Sequence, residues 1–385
     1  MTELIQVKVQ KDHLDKVSRS PVLSALVELI WNGFDADANT VRVSVNRDEI
    51  GISSIEVMDD GHGIGSDKAR QLFSSLGGSW KGTKKISPSG RFLHGKEGQG
   101  RFKAFAIGRV VEWCSHYKSG DRICGLKIVG KAEDKGMFEV HNLKIKNTDR
   151  VGTKVTIFEP HKEFSSLSQE RMFDYFSSIF AVYLQTYSNL KLYVNNDLLE
   201  VQDRIESCVV IPMSPIIDEQ GKHETKLKII EWNFQIDNGF HFCDNNEFSL
   251  LEHGGRIRGG GDFNYTAYLI SSYIGDMHSK NILATYELDG SLVSSFDEAK
   301  KLIRQHFTHR RLERSNNIIQ QWKRDNIYPY KEDPASKVEE AERQVFDIVA
   351  LNLSVGFRLI DYSLSKQLRS FDLPFLYCCY RRFVV

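Results

Sequence analysis

The chain has 385 residues, enough for two well-cored domains rather than one. Its 51 basic and 51 acidic residues cancel, which argues against a polybasic nucleic-acid coat or an acidic tail and leaves room only for local patches. At 41% hydrophobic and 26% charged the composition is that of a globular protein; no apolar run reaches the ~18 residues of a membrane helix, and six cysteines without CxxC spacing argue against a disulfide framework or zinc ribbon and fit a reducing cytoplasm.

The opening MTELIQVKVQKDHLDKV alternates charged and apolar residues and holds no signal-peptide core. Ser20-Pro21 predicts a helix start, with a capping hydroxyl followed by proline at the first helical position, and the helix runs from Val22 to about Ala36. Strands are predicted at 41–46 and 54–60 as neighbours, then at 109–117, 122–130 and 152–160. Between residues 77 and 100, seven of 24 residues are glycine, and residues 81–103 hold seven Lys/Arg and one acid. A long basic, glycine-rich stretch inside a domain reads as a functional loop or lid. Beyond residue 160 the pattern predicts a helix over 167–187 and strands at 190–195, 226–236 and 281–290. A basic helix follows over 297–323, then a break at 328–334 and a last helix from about Ala335 with Val338, Ala341, Val345 and Ile348 spaced 3-4-3. The final LPFLYCCYRRFVV is apolar and reads as an element whose packing partner lies outside the chain.

Four short motifs carry chemistry. On the first helix, Glu28, Asn32 and Asp35 stand at i, i+4 and i+7 and share one face. Taken alone this is the polar face of an amphipathic helix. An amide oxygen is nevertheless a hard ligand suited to Mg²⁺, and a carboxylate one turn away can orient a water against a phosphate. Asp59-Asp60-Gly61-His62-Gly63 closes a strand; a carboxylate there can accept from an exocyclic amine, and glycines let a flat base approach the backbone. The third motif, Gly95-Lys96-Glu97-Gly98-Gln99-Gly100, leads into a helical stretch that holds Lys103, a geometry suited to phosphates, with Lys81 adding charge. It is neither a dinucleotide fingerprint nor a Walker loop. Gly152-Thr153 opens the last strand of this region.

In this order the motifs resemble the GHKL ATPase superfamily, which groups gyrase B, HtpG-type heat-shock chaperones, histidine kinases and MutL, over about residues 20–160. The resemblance implies an α+β chain: a Bergerat-type ATP-binding sandwich over 1–160, a transducer-like α+β domain over 161–296 and a helical C-terminal region over 297–385. It implies a Mg²⁺-dependent, slow ATPase in which Glu28 is the general base, Asn32 the Mg²⁺ ligand and Asp35 the supporting acid. Asp59 would read adenine beside Gly61 and Gly63, Gly98 and Gly100 with Lys81 and Lys103 would take the phosphates, and Thr153 would stand near the base. The second domain would send a basic residue to the γ-phosphate, with Arg256, Arg258 and Lys280 as candidates.

ELIWNGFDADA carries the glutamate that histidine kinases lack, and only about 20 residues precede it, so that branch is set aside. GQGRFK is closer to the third motif of MORC proteins, or to a loose version of the chaperone GxFGxGF, than to the GFRGEAL of MutL. Expected partners are ATP or ADP, a second copy in a nucleotide-dependent dimer, and DNA or a client protein as output, with no membrane. The alternative is a nucleotide-gated scaffold, chaperone-like or DNA-engaging, that binds without hydrolysing.

Overall fold

The apolar residues of VLSALVELIWNGFD recur at helical intervals, and the segment forms α1 (Val22–Asp35) with Ala25, Leu26, Leu29, Ile30 and Phe34 buried. In the computed structural model, which describes residues 20–74, 86–94, 100–145, 150–255, 257, 260–325, 328–330 and 333–358, its start differs from expectation. Pro21 itself occupies the cap position (φ −55°, ψ 141°), its carbonyl accepting Ala25 N–H at 3.0 Å, and no side chain caps the free amides. Ser20 lies one residue too far out for that task. The helix stops where Asp37 turns left-handed (φ 61°) and Ala38 N–H reaches back to the Gly33 carbonyl at 3.1 Å.

Eight strands follow in one sheet: β1 (Thr40–Arg47), β2 (Ile52–Asp59), β3 (Gly108–Ser119), β4 (Arg122–Lys131), β5 (Asp134–Asn142), β6 (Gly152–Pro160), β7 (Lys191–Val194) and β8 (Asp197–Leu198). Their order is β5-β4-β3-β6-β2-β1-β7-β8. All pairs are antiparallel except β1 with β7, so the sheet is mixed. The period-two alternation separates its faces. Val43, Val57, Val155, Trp113 and Ile128 are in register and buried on one side. The other side carries polar residues and ion pairs, among them Lys154 with Glu56 at 3.2 Å and Lys127 with Glu112 at 2.7 Å.

The buried side is covered by α1, by α2 (Ser66–Ser74), by the short α3 (Gly100–Lys103) and by α4 (Gln169–Thr186). Trp31 and Phe34 of α1 meet Phe180 and Tyr183 of α4 with ring centroids 4.7–5.9 Å apart. The boundary expected after residue 160 therefore falls inside this layer. Residues 191–194 return to pair in parallel with 40–43, a long-range pairing that local spacing does not reveal.

A second sheet, ordered β12-β11-β13-β10-β9, is built from β9 (Ile205–Asp218), β10 (Gly221–Trp232), β11 (Gly239–Cys243), β12 (Ser249–Glu252) and β13 (Tyr265–Ser271). Every residue of β13 is buried, as suits a central strand. Then come α5 (Ser272–Ser279), a 3₁₀ segment (Leu283–Leu288), α6 (Gly290–Arg324) and α7 (Lys337–Arg358). The strand expected at 281–290 is absent. Asp289 Oδ1 accepts Leu292 N–H at 2.8 Å and starts α6 seven residues earlier than the sequence pattern suggests.

The chain divides into two compact units, Met1–Gly255 with Asn264–Val293, and Arg256–Phe263 with Ser294–Val385. In the second, Phe263 stacks on Phe307 at 4.8 Å, and Tyr328 packs on Phe346 while donating to Asp347 Oδ1 at 2.9 Å. Among the described residues no helix is long and apolar enough to cross a membrane.

Candidate functional site

Three adjacent strands of the first sheet end their core-facing series on a polar residue. β2 runs Ile55, Val57, Asp59; β6 runs back through Ile157, Val155, Thr153; β3 runs Val111, Trp113, Ser115. The pairing register places Asp59 opposite Thr153 and Thr153 opposite Ser115. A polar row thus sits at one edge of an otherwise apolar floor.

Within that row Asp59 Oδ1 accepts the Gly61 N–H at 2.9 Å and the Thr153 N–H at 3.3 Å. Among the described residues nothing donates to its second oxygen, and no cation faces it. Burial dominates over the two amide donors and over nearby Asp60, and pushes the carboxyl up to about 7. Asp60 does different work: its Oδ1 accepts the Asn39 and Thr40 N–H groups at 2.7 and 2.8 Å and fixes the start of β1. Ser115 is fully buried, accepts Ile64 N–H at 2.7 Å and shares a hydrogen bond with the Thr153 hydroxyl at 2.9 Å.

Two glycines make this packing feasible. Gly63 (φ 72°) passes the β3 backbone so closely that a Cβ would lie 2.2 Å from the His116 carbonyl oxygen. Gly152 (φ 147°) would place one 2.2 Å from the Asp59 carbonyl oxygen. Gly61 belongs to the same turn and contributes the amide that holds Asp59.

Helix α1 lies against the Asp59 end of the row. A Cβ on Gly33 would stand 2.9 Å from Val41 Cγ2 and 3.0 Å from Asp59 Cβ, so glycine sets the closeness of helix and strand. Asn32 is exposed beside it, and Glu28 is one turn back, about 6 Å along the axis. Glu28 Oε1 accepts from Lys103 Nζ at 2.5 Å, which joins α1 to the end of α3.

Asp35 points elsewhere. It is buried and accepts His94 N–H at 2.8 Å, while the His94 ring stacks on Trp31 at 4.2 Å. Asp37 continues this anchorage: it accepts from the Ser87 hydroxyl at 2.5 Å and lies 3.5 Å from Arg91 Nε, and Arg91 Nη1 donates to the Ala38 carbonyl at 2.6 Å. The end of α1 therefore fixes residues 86–94, the stretch that leads into the third motif.

The structure brings Asp59, Gly61, Gly63 and Thr153 together, and joins Glu28 to Lys103. Gly100 opens α3. Lys81, Gly98, Arg256 and Arg258 lie outside the described residues, and with them most of the expected lid. Lys280 is exposed at the end of α5. Ser115 was not singled out from sequence, although a serine at a core-facing position of RVVEWCSHY is a legible signal. Asp37, Ser87, Arg91 and His94 carried no motif and become visible only in three dimensions.

Residues 20–158 match the family model described as Histidine kinase-, DNA gyrase B-, and HSP90-like ATPase. This domain belongs to the GHKL ATPase superfamily. Over 101 residues, 26% of the chain, the sequence is 30% identical to a protein of Herpetosiphon aurantiacus named as a candidate type II restriction enzyme, HgiDII; the match takes in 16% of that protein's length. The ATPase domain of Aquifex aeolicus MutL, solved with ADP, aligns with a TM-score of 0.38 at 13% identity over 66% of this chain and 92% of that one. The domain is a mixed sheet covered by helices on one face, with the half-buried Asp59 carboxylate against α1.

The raised Asp59 carboxyl fixes a pH dependence. The folded domain keeps a proton that the unfolded chain releases from about pH 4 upward, so Asp59 withdraws stability as pH rises from about 4 to 7. Relative to Asp59→Asn, the nucleotide-free wild type should lose unfolding free energy between pH 4.5 and 7.5 in denaturant titrations. A difference between the two proteins that is constant across this range contradicts the assignment.

Proposed function

We propose that the chain binds ATP with Mg²⁺ and hydrolyses it slowly, and that binding and turnover drive lid closure and pairing of two copies. The observation that supports this most is the half-buried Asp59, whose second oxygen lacks a donor among the described residues and which lies where α1 meets the row. Such a carboxylate suits the exocyclic amine of adenine, with Gly61 and Gly63 admitting the ring and Thr153 and Ser115 fixing the carboxylate row. Phosphates would lie toward Gly98, Gly100, Lys81 and Lys103, and a basic residue, Arg256, Arg258 or Lys280, would reach the γ-phosphate.

Asn32 fits a Mg²⁺ site of the kind completed by phosphate oxygens and water: it is exposed, offers an amide oxygen, and stands on the face that holds Glu28. Among the described residues no group of three His, Cys, Asp or Glu side chains forms a metal cluster of its own. Bound there, the ion would neutralise phosphate charge. Glu28 would orient and deprotonate the attacking water, and the buried wall beneath α1 would exclude bulk solvent. Asp35 and Asp37 would support the site through residues 86–94 rather than touch nucleotide.

Glu28→Ala should lower ATP turnover by about 10²-fold or more while ATP binding persists. Asp59→Asn should weaken ATP binding by roughly 10- to 100-fold, the value of a charge-assisted hydrogen bond. Turnover at the wild-type rate in Glu28→Ala, measured beside binding on the same preparation, removes Glu28 as the base. The Glu28–Lys103 pair favours a second reading, a nucleotide-gated scaffold in which Glu28 is idle; wild-type binding without turnover would select it.

For output we favour DNA. The relative is named as a restriction enzyme, and residues 299–324 of α6 hold eight Lys/Arg and one Glu in a chain of zero net charge. Duplex binding should then weaken steeply between 50 and 200 mM salt. Absent or salt-insensitive binding leaves a protein client as the output.

A further inference from the structure

Among the described residues the contact between Lys103 and Glu28 is the closest ion pair of the candidate site, at 2.5 Å, with the side chains 24% and 26% exposed. Both ends are fixed by their backbones. Glu28 stands between buried Leu26 and Leu29 on α1; Lys103 stands between buried Phe102 and Ala104 where α3 passes into a 3₁₀ turn. Neither side chain needs a backbone shift to separate, because each can swing on its own flexible stem.

A carboxylate that activates water must be aimed at it, and here an ammonium group on Glu28 Oε1 holds the carboxylate toward Lys103. A triphosphate arriving beside α3 brings more negative charge to Lys103 than one carboxylate holds.

We infer that Lys103 locks Glu28 in a resting ion pair, and that the γ-phosphate of the nucleotide draws Lys103 away and frees Glu28 for water. This inference rests on the ATPase reading above and deepens it: the substrate's own terminal charge switches the base on. Lys103 is then a positioning residue for Glu28 as well as a phosphate contact. No bond is made or broken in the switch; one ion pair is exchanged for another. A diphosphate lacks the terminal group and leaves the lock closed.

The lock opposes binding of a triphosphate, because the pair must break first. Affinities of the full chain for Mg·AMP-PNP and Mg·ADP, measured by calorimetry, test this in a double-mutant cycle of Glu28→Gln, Lys103→Met and the combined variant. Glu28→Gln should tighten Mg·AMP-PNP binding roughly three- to tenfold, the range expected when a partly exposed ion pair no longer competes, and leave Mg·ADP unchanged. In the Lys103→Met background the same change should add nothing. Lys103→Gln serves as a second background should the methionine variant fold poorly.

An equal gain in both backgrounds overturns the lock, since it would report only the removal of a charge near the phosphates. Unchanged Mg·AMP-PNP affinity in Glu28→Gln overturns it as well. Both outcomes leave nucleotide binding intact and so spare the ATPase reading. A wild-type chain that binds neither nucleotide overturns both.

Discussion

A half-buried, largely desolvated carboxylate at the end of a central strand, with no cation facing it among the described residues, is the constraint around which the first domain is arranged. Burying such a group is expensive unless donors meet it. Among the described residues Asp59 has two donors, both backbone amides, on a single oxygen. Those amides come from the turn after β2 and from the first residues of β6, so the two strand ends must stay in register. Gly63 and Gly152 allow this by bringing backbones closer than a Cβ permits. The donors do not fully offset burial, and the carboxyl is raised to about 7. The domain therefore retains an acceptor that a ligand can complete.

Helix α1 turns this local arrangement into a site. Its apolar stripe places it on the sheet, and Gly33 lets it lie against Asp59 itself. The exposed face then carries Asn32 and Glu28, with Lys103 brought to Glu28 by the helical turn after the third motif. The far end of the same helix holds residues 86–94 through Asp35 and Asp37. One helix thus links the half-buried carboxylate, the paired glutamate and the residues that precede the third motif.

Much of this was legible in the sequence because it is local. The i, i+4, i+7 spacing of Glu28, Asn32 and Asp35 follows from helical geometry, and the alternation of β1, β2, β3, β4 and β6 follows from the pleat. The D-x-G-x-G turn announces close backbone approach. What escaped was non-local or weakly patterned. The return of β7 to β1 depends on pairing across about 150 residues. The segment 281–290 alternates like a strand, yet Asp289 caps a helix there. β13 is buried on both faces and so loses the period-two signal. Ser115 showed its role only once register set it beside Thr153.

The central claim is that Asp59 reads the base of a bound purine nucleotide. Adenine presents an amine at its six position and guanine an oxygen, so one carboxylate is a partner for the first and repels the second. The most direct measurement is the affinity of the full chain for ATP and GTP under identical Mg²⁺, salt and pH. The account predicts ATP binding at least roughly 100-fold tighter than GTP, the loss of a charge-assisted hydrogen bond and its replacement by two facing acceptors. Equal affinities would show that the Asp59 carboxylate does not face the base and would contradict the account.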